Sequence, residues 1–360
     1  MASKVNILDI YTDYLITSTK YTTATGLSEV FSGTISHDKV TRFLNTSDLN
    51  NKSLWQYVKP LVRQIESEDP VLTVDDTINE KRYTDENEIV TYHYDHSKGR
   101  SLKGINMVNL ILSDTSGTRI PLSVEVVKKD IEFTDNKGKV KRKSSKTKNE
   151  LFREQFIQAV SNEVSFTYLL ADIWFGNVDN MNLIRSKEKH FIIPLKKNRQ
   201  LCLFKQGDVS IKYQPVESFD IKEGQTVHIR LKGYEHPLLL CKQVFRNKDG
   251  STGVLYLVCS DLTADFSRIT TTYQRRWAVE TYHRSLKNNT SLAASPTKRV
   301  KSQMNHIYAS ILAFVKLEAM KMNKKLNHYA MKSKLYISGM KTMMEELNQL
   351  KYGTQLTLDF

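Results

Sequence analysis

The sequence predicts an α/β protein, and three patterns along the chain support this fold class. Residues 1–68 and the segments after residue 263 show the apolar spacing of amphipathic helices. Between them lie short apolar and alternating runs rich in β-branched residues, which are typical of strands. The resulting order is helices, strands, further strands and helices. This order predicts a mixed fold in which a β-rich insertion interrupts an α/β core.

The composition indicates a partner of negative charge. The 360 residues include 53 Lys and Arg against 39 Asp and Glu, which gives a formal net charge of +14. A charge of this sign and size favours nucleic acid as the partner. The three cysteines lack the spacing of a zinc site, so we expect free thiols in a cytoplasmic protein. No apolar run is long enough to cross a bilayer, and no membrane partner is expected.

The N-terminal segment predicts a helical DNA-binding region. Ser36 is expected to cap a helix over HDKVTRFLN, and TATGLSEVF before it predicts another helix. With Gly33 in the turn, the pair fits a helix-turn-helix, and a plain helical bundle fits equally well. A third helix, SLWQYVKPLVRQIE, is expected to be interrupted at Pro60.

Two basic clusters are candidate DNA contacts. The first lies in KGKVKRKSSKTK, which has seven basic residues in twelve. Such a run is typical of a solvated, mobile loop, although it can also bind phosphates. The second cluster follows the predicted strand FIIPL. The candidates in the two clusters are Lys141, Arg142, Lys143, Lys196, Lys197 and Arg199.

Acidic residues interrupt three apolar or basic segments. Asp75 and Asp76 close the strand VLTV, Asp172 lies inside FTYLLADIWF, and Glu280 lies on a cationic helix. Each has an ordinary explanation as a turn, a strand end or a salt bridge, but a buried carboxylate is costly unless something compensates it. Together, carboxylates from two strands and a helix predict a site for divalent metal. Mg²⁺ fits because it prefers oxygen ligands, and a pair of ions can assist phosphodiester cleavage.

The helix of Glu280 reads YQRRWAVETYHRSLK. At about 100° per residue, Tyr273, Arg276, Glu280 and Lys287 fall within an arc of about 60° on one continuous helix. This stripe predicts that the cations hold DNA phosphates while the acid holds the metal, and Arg284 is a further basic candidate on the same helix. The alternative is that Arg276 and Glu280 pair on the surface as residues i and i+4.

The spacing Tyr273-x2-Arg276-x3-Glu280-x6-Lys287 resembles the Tyr-Arg-Glu-Lys signature of the DDE transposases of bacterial insertion sequences. In particular, it is similar to that of the insertion sequence family four group. The resemblance implies that Tyr273, Arg276 and Lys287 contact the DNA at the cleavage site.

The same resemblance extends to the two aspartate segments. VLTVDDT resembles the strand that carries the family's first catalytic aspartate, in which the acid before Thr is catalytic, here Asp76. YLLADIWFGN resembles the segment of the second, here Asp172. The resemblance thus implies that Asp76, Asp172 and Glu280 are catalytic and hold two Mg²⁺ ions, which Mn²⁺ can replace. Asp75 is the open alternative for the first acid.

The family fold that this resemblance implies is an RNase H-like catalytic core with a β-rich insertion, a helical N-terminal DNA-binding region and a helical C-terminus. The expected regions are the DNA-binding region at 1–68, the first part of the core at 69–195, the insertion at 196–252, the second part of the core with the catalytic helix at 253–300, and the C-terminal helices at 301–360.

The implied function is cut-and-paste transposition of double-stranded DNA. A homodimer in the synaptic complex would bind the terminal inverted repeats of the element, cleave its ends and join the 3′-OH to target DNA, so that the protein lies at the nucleoid when bound. Two alternatives remain open. One is a metal-dependent nuclease of the same fold, and the other is a DNA-binding regulator derived from a transposase.

Overall fold

The computed structural model describes residues 6–67, 69–96, 98–203, 212–246 and 249–352. The chain divides into two compact units. One spans Met1–Asn50 and Arg284–Phe360, and the other spans Asn51–His283.

Ten α-helices lie in the described residues, and none of them is both long and apolar enough to span a membrane. They are α1 (Ile7–Thr17), α2 (Ala24–Val30), α3 (His37–Thr46), α4 (Asn51–Ile65), α5 (Lys148–Ser161), α6 (Val178–Ser186), α7 (Phe266–Gln274), α8 (Trp277–Asn289), α9 (Val300–Lys324) and α10 (His328–Tyr352).

The strands of the described residues all lie in the unit Asn51–His283. They are β1 (Val71–Glu80), β2 (Thr91–Asp95), β3 (Arg100–Ser113), β4 (Arg119–Val126), β5 (Ile131–Thr134), β6 (Val140–Lys143), β7 (Tyr168–Ala171), β8 (His190–Leu195), β9 (Gln200–Leu203), β10 (Gln214–Pro215), β11 (Thr226–Leu231), β12 (Leu238–Arg246) and β13 (Thr252–Cys259).

The unit that contains both chain ends is helical, and its core joins the N-terminal helices to α9 and α10. As predicted, Ser36 caps α3, because its hydroxyl accepts the N–H of Lys39 at 3.3 Å. Gly33 has a φ of +77° in the turn before α3, a conformation that favours glycine. The core residues are Tyr11, Leu15, Ile16, Leu27, Ile35, Val40, Leu44, Ala309, Ala313, Leu317 and Met331.

A large mixed sheet organises the other unit, as expected for an α/β protein. Eleven of the described strands form it, in the order β10-β9-β11-β12-β13-β8-β7-β1-β3-β2, with β4 also paired to β3. The neighbours β1, β7 and β8 are parallel, and the remaining pairs are antiparallel. The strands of residues 196–252, predicted as a β-rich insertion, extend this same sheet beyond β13.

The two faces of the sheet meet different helices. Side chains of consecutive strand residues alternate between the faces. Val71 of β1 shares a core cluster with Tyr168 of β7 and Ile269 of α7, so α7 covers the face on which Val71 lies. On the opposite face, Lys148 at the start of α5 contacts Asp76 of β1.

The basic run at residues 137–148 is solvated, as predicted, but its central four residues form strand β6 of a hairpin rather than a loop. Strand β6 pairs with β5, with Arg142 opposite Glu132. Lys141 forms an ion pair with Asp135 at 2.8 Å, and Arg142 forms one with Glu132. Glu132 of β5 and Asp135 in the turn after it thus compensate part of the positive charge of the basic run.

Pro60 does not interrupt the third predicted helix, because α4 continues through it from Asn51 to Ile65. The buried residues Val58 and Val62 on either side of Pro60 favour one continuous helix. Helix α4 also packs against β4, and the Asn51 side-chain oxygen accepts the N–H of Val124 at 2.9 Å. It therefore belongs with the sheet, although the prediction grouped it with the N-terminal helices.

The helix predicted around Glu280 is broken. Helix α7 ends at Gln274 and α8 begins at Trp277. At the break, the N–H of Arg276 donates to the carbonyl of Tyr273 at 2.9 Å, an i to i+3 bond tighter than that of an α-helix. The single stripe calculated for one continuous helix therefore does not extend from Tyr273 to Glu280.

Candidate active site

The register of two parallel strands places two aspartates side by side. Val74 of β1 pairs with Ala171 of β7, so the next residues, Asp75 and Asp172, follow at the same level. Neighbouring strands lie about 4.8 Å apart. By alternation, Asp75 lies on the same face as Val71, which is the face that α7 covers.

The carboxyl group of Asp75 is buried and has two partners. One oxygen accepts the N–H of Asp76 at 2.8 Å, and the other accepts a hydrogen bond from the Arg276 guanidinium at 3.1 Å. Burial raises the pKa of Asp75 from 3.8 to about 7, and Arg276 only partly offsets this effect, while Glu280 adds to it. A further cation next to Asp75 would therefore favour its ionised form.

Glu280 on α8 completes a close group of possible metal ligands. Within the described part of the chain, one oxygen of Asp75, one of Glu280 and one ring nitrogen of His283 all lie within 4.8 Å of one another. His283 is held by Asn109 of β3, whose amide nitrogen lies 3.1 Å from His283 Nε2. Because the same amide nitrogen donates to the Met107 carbonyl, His283 Nε2 is the acceptor in this contact.

Arg276 is the cation at the centre of this group. Its guanidinium lies 3.1 Å from Asp75 and 3.9 Å from Glu280. Burial lowers the pKa of Arg276, but Tyr273, Asp75, Asp172 and Glu280 outweigh burial and raise it. The i,i+4 ion pair of Arg276 with Glu280, one of the two sequence interpretations, is therefore present, and it lies in the acidic site.

The donor set fits a divalent cation. Three carboxylates and one guanidinium, when ionised, leave two negative charges uncompensated among these four groups. Carboxylate oxygens are hard ligands, which Mg²⁺ and Mn²⁺ prefer over nitrogen. Asp75 and Glu280 could supply oxygen ligands and His283 a ring nitrogen to such a cation, and Asp172 follows β7 at the level of Asp75.

Asp172 lies at the edge of the group. Its carboxylate accepts the N–H of Ile173 and so caps the short 3₁₀ helix Ile173–Phe175 that follows β7. It does not belong to the tight group of Asp75, Glu280 and His283. Its negative charge contributes to raising the pKa of Arg276, whose ion pairs are with Asp75 and Glu280.

Asp76, the expected first acid, lies on the opposite face of β1. Its carboxylate accepts a hydrogen bond from the Lys148 ammonium at 2.7 Å. The structure thus brings Asp75, and not Asp76, together with Glu280 around Arg276.

Tyr273, predicted to contact DNA, is buried at the end of α7. Its hydroxyl donates to the Ala171 carbonyl at 3.4 Å, and its ring lies 6.0 Å from the Arg276 guanidinium. The buried ring of Tyr273 therefore lies beside the Arg276 guanidinium rather than on the surface.

The remaining predicted DNA contacts differ in how exposed they are. Arg284 and Lys287 of α8 are exposed, as are Lys196 and Lys197 after β8. Arg199 is half-buried. The hairpin residues are engaged locally: Lys141 with Asp135, Arg142 with Glu132, and Lys143 over the ring of Phe133.

Sequence reasoning did not single out His283 and Asn109. The spacing of Glu280 and His283, three residues apart on a helix, could have placed them on one face. Nothing in the sequence pairs Asn109 with His283, because that contact arises only when α8 packs on β3.

A mixed α/β fold with carboxylates where the parallel pairing of β1 and β7 ends is that of a candidate metal-dependent enzyme. Residues 3–216, more than half of the chain, match the family model described as DDE superfamily endonuclease. The chain therefore belongs to this family, which implies a divalent-metal-dependent nuclease with DNA as its substrate. The match covers Asp75, Asp76 and Asp172 and ends before Glu280.

A comparison with curated proteins gives no match. Among solved structures, the chain is similar to endonuclease V of Bacillus subtilis, at 13% identity and a TM-score of 0.25, over 66% of this chain and 86% of that one. At this TM-score the likeness carries no argument about fold or function.

The pKa of Asp75 predicts an unusual pH dependence of stability in metal-free buffer. Between its ordinary value of 3.8 and about 7, the folded protein keeps a proton that the unfolded chain loses. The free energy of unfolding should therefore fall as pH rises through this window. Asp75→Asn, which stays neutral, should raise the melting temperature relative to wild type at pH 8 but not at pH 4.

The control is Asp76→Asn, which removes the partner of Lys148 and should give no such gain at pH 8. Thermal unfolding in EDTA at both pH values measures the effect. If Asp75→Asn is no more stable than wild type at pH 8, ionisation of Asp75 does not lower the free energy of unfolding, and the prediction is wrong.

Proposed function

We propose that the protein is a DNA transposase that cleaves the ends of its insertion sequence with divalent metal and joins them to target DNA. The observation that carries the proposal is the close group of Asp75 on β1 with Glu280 and His283 on α8, while Asp172 follows at the level of Asp75 on the parallel neighbour β7. Family membership supports the nuclease chemistry, and the Tyr-Arg-Glu-Lys spacing supports the transposase function.

We assign the core to the RNase H-like class. The neighbours β4-β3-β1-β7-β8 support this assignment, because an antiparallel hairpin lies beside three parallel strands. The strands β9 to β12, within the predicted insertion at 196–252, lie in the chain between β8 and β13. This position supports its assignment as the β-rich insertion.

We assign the first catalytic acid to Asp75 in place of Asp76. Asp75 shares the face of α7 and has an oxygen close to Glu280, whereas Asp76 contacts Lys148 on the other face. A side chain on the opposite face of a strand cannot reach the same ion without a register shift.

Mg²⁺ or Mn²⁺ bound at these carboxylates would supply Lewis-acid stabilisation of the phosphoryl oxygens and activation of the attacking oxygen. Asp75 must be ionised to act as a ligand, so metal binding is expected to release its proton near neutral pH. Arg276, freed from the carboxylates, is long enough to contact a DNA phosphate. Tyr273 would orient Arg276 from behind.

The DNA duplex is proposed to contact the exposed cations Arg284, Lys287, Lys196 and Lys197. Phosphate contacts of this kind position the duplex without reading its sequence. Recognition of the terminal inverted repeats is proposed for the N-terminal helices, where α2 and α3 flank the Gly33 turn. Binding to chromosomal DNA would place the protein at the nucleoid.

A second copy of the chain is the partner that we propose for α10. Eight large apolar side chains between Leu335 and Leu350 are 42–70% exposed. They leave on the order of 800 Å² of apolar surface, about what one partner contributes to a stable interface. The spacing of four and three residues along one stripe is that of helices that pair with each other. The stripe consists of Tyr336, Met340, Met343, Leu347 and Leu350.

The dimer predicts that Met343→Glu lowers the sedimenting mass of the protein with DNA to that of a single copy, because a charge would be buried in the stripe. Lys341→Glu, on an exposed part of α10 outside the stripe, is the matched control and should leave the mass unchanged. Wild type that remains a single copy with DNA would assign the α10 face to another partner.

Cleavage and joining of a duplex with the gene's own flanking ends test the function. With Mg²⁺, wild type should nick the ends and join the 3′-OH to target DNA. Asp75→Asn and Glu280→Gln should lower nicking by more than about 100-fold, a larger loss than removing a residue that only orients a ligand. DNA affinity should be kept, and Asp76→Asn should still cleave.

Each other outcome has its own meaning. If Asp76→Asn loses cleavage and Asp75→Asn keeps it, the first catalytic acid is Asp76. Nicking without joining would indicate a nuclease of the same fold. Binding without cleavage by wild type would indicate the DNA-binding regulator.

Salt dependence tests the proposed phosphate contacts. Lys287→Ala should reduce the slope of log affinity against log salt by about one, measured between about 50 and 200 mM salt. Lys141→Ala is the control, because Lys141 lies on β6 and pairs with Asp135 rather than belonging to the proposed DNA contacts. An equal slope for Lys287→Ala and wild type would remove Lys287 from the interface.

A further inference from the structure

The Arg276 guanidinium contacts the two carboxylates that lie closest together in the candidate site. It donates to Asp75 Oδ2 at 3.1 Å, and it lies 3.9 Å from Glu280 Oε1. The other oxygen of Asp75, Oδ1, accepts the N–H of Asp76 at 2.8 Å. Arg276 thus contacts the oxygen of Asp75 that this backbone hydrogen bond does not use.

Arg276 therefore competes with any divalent cation for these carboxylates. Mg²⁺ ligates carboxylate oxygens at about 2.1 Å, so an ion bound to Asp75 Oδ2 would lie next to the guanidinium. Two cations repel each other strongly where solvent is largely excluded. The side chains of Asp75 and Arg276 are only 12% and 17% exposed. Metal at Asp75 and Glu280 would consequently weaken both ion pairs of Arg276.

A DNA phosphate is the alternative partner for Arg276. The residue lies at the break between α7 and α8, and part of its side chain reaches solvent. Its planar guanidinium can bind phosphate through two parallel hydrogen bonds, as it can bind a carboxylate. Rotation of the side chain away from Asp75 and Glu280 would thus replace one anionic partner by another of similar chemistry.

We propose that Arg276 couples the binding of divalent metal to the binding of DNA. In one arrangement it compensates the charges of Asp75 and Glu280. In the other, metal compensates these carboxylates and Arg276 binds a DNA phosphate. This inference rests on the proposed function, since it requires both metal and DNA at the acids. Because each ligand favours the second arrangement, each should raise the affinity for the other by the same factor.

DNA binding by wild type and Arg276→Ala, in Mg²⁺ and in EDTA at equal ionic strength, tests the coupling. The probe is a duplex already cut at the end of the element and lacking the 3′-OH, so that neither cleavage nor joining can proceed. In Mg²⁺, Arg276→Ala should bind about 10- to 150-fold more weakly, the effect of one charge-assisted hydrogen bond. In EDTA the loss should be below about 5-fold, because the carboxylates still hold Arg276 in wild type.

Mn²⁺ binding gives a second readout, from the side of the metal. Electron paramagnetic resonance measures the affinity for Mn²⁺ with and without the same DNA. The DNA should raise the Mn²⁺ affinity of wild type by the factor by which Mn²⁺ raises its DNA affinity. Arg276→Ala should lose most of this mutual gain.

Two further variants separate the coupling from other effects. Lys197→Ala removes an exposed cation of the proposed DNA contacts that follows β8, and it should weaken DNA binding equally in Mg²⁺ and EDTA. Arg276→Lys keeps a cation at the carboxylates and should retain part of the mutual gain. A purely structural role of Arg276 would instead weaken DNA binding equally in both buffers.

The outcomes distinguish this inference from the proposed function. Equal losses of DNA affinity by Arg276→Ala in Mg²⁺ and EDTA, or a full mutual gain in this variant, would overturn the coupling and leave the proposed cleavage untouched. If wild type binds no DNA in either buffer, the proposed function is wrong, and the coupling with it.

Discussion

The parallel pairing of β1 with β7 is the constraint on which the site depends. Because Val74 lies opposite Ala171, Asp75 and Asp172 follow at one level. A shift of one residue in β1 would exchange its two acids between the faces of the sheet. The packing of α7 on one face then decides which of them Glu280 can meet.

Charge compensation follows from that geometry. Burying Asp75 beside Glu280 is unfavourable, and Arg276 offsets part of this cost by lying between them. Arg276 is itself buried and retains its charge because several groups of negative potential surround it. On the opposite face, the charge of Asp76 is compensated by one ion pair with Lys148, and both side chains are partly exposed to solvent.

Much of the fold and the composition of the site can be predicted from sequence, because strands and isolated acids leave local signals. VLTVDDT indicates a strand with acids, yet alternation only separates Asp75 from Asp76 and does not say which face a later helix covers. That choice depends on α7 and α8, about two hundred residues further along the chain. The contacts of Trp174 with His96 and Lys196 could not be predicted for the same reason, because the three residues come from separate segments. The hairpin of β5 and β6 was missed because its acids precede the basic run and pair with it only across strands.

The break between α7 and α8 changes the position of Glu280 along its helix. On one continuous helix it would be a mid-helix residue, but α8 begins at Trp277, and Glu280 therefore lies in its first turn. The first backbone N–H groups of a helix lack intrahelical acceptors and give this end a partial positive charge. The macrodipole of α8 thus adds to Arg276 in stabilising a negative carboxylate at this position. The lone acid of a cationic segment is placed where the backbone itself is electropositive.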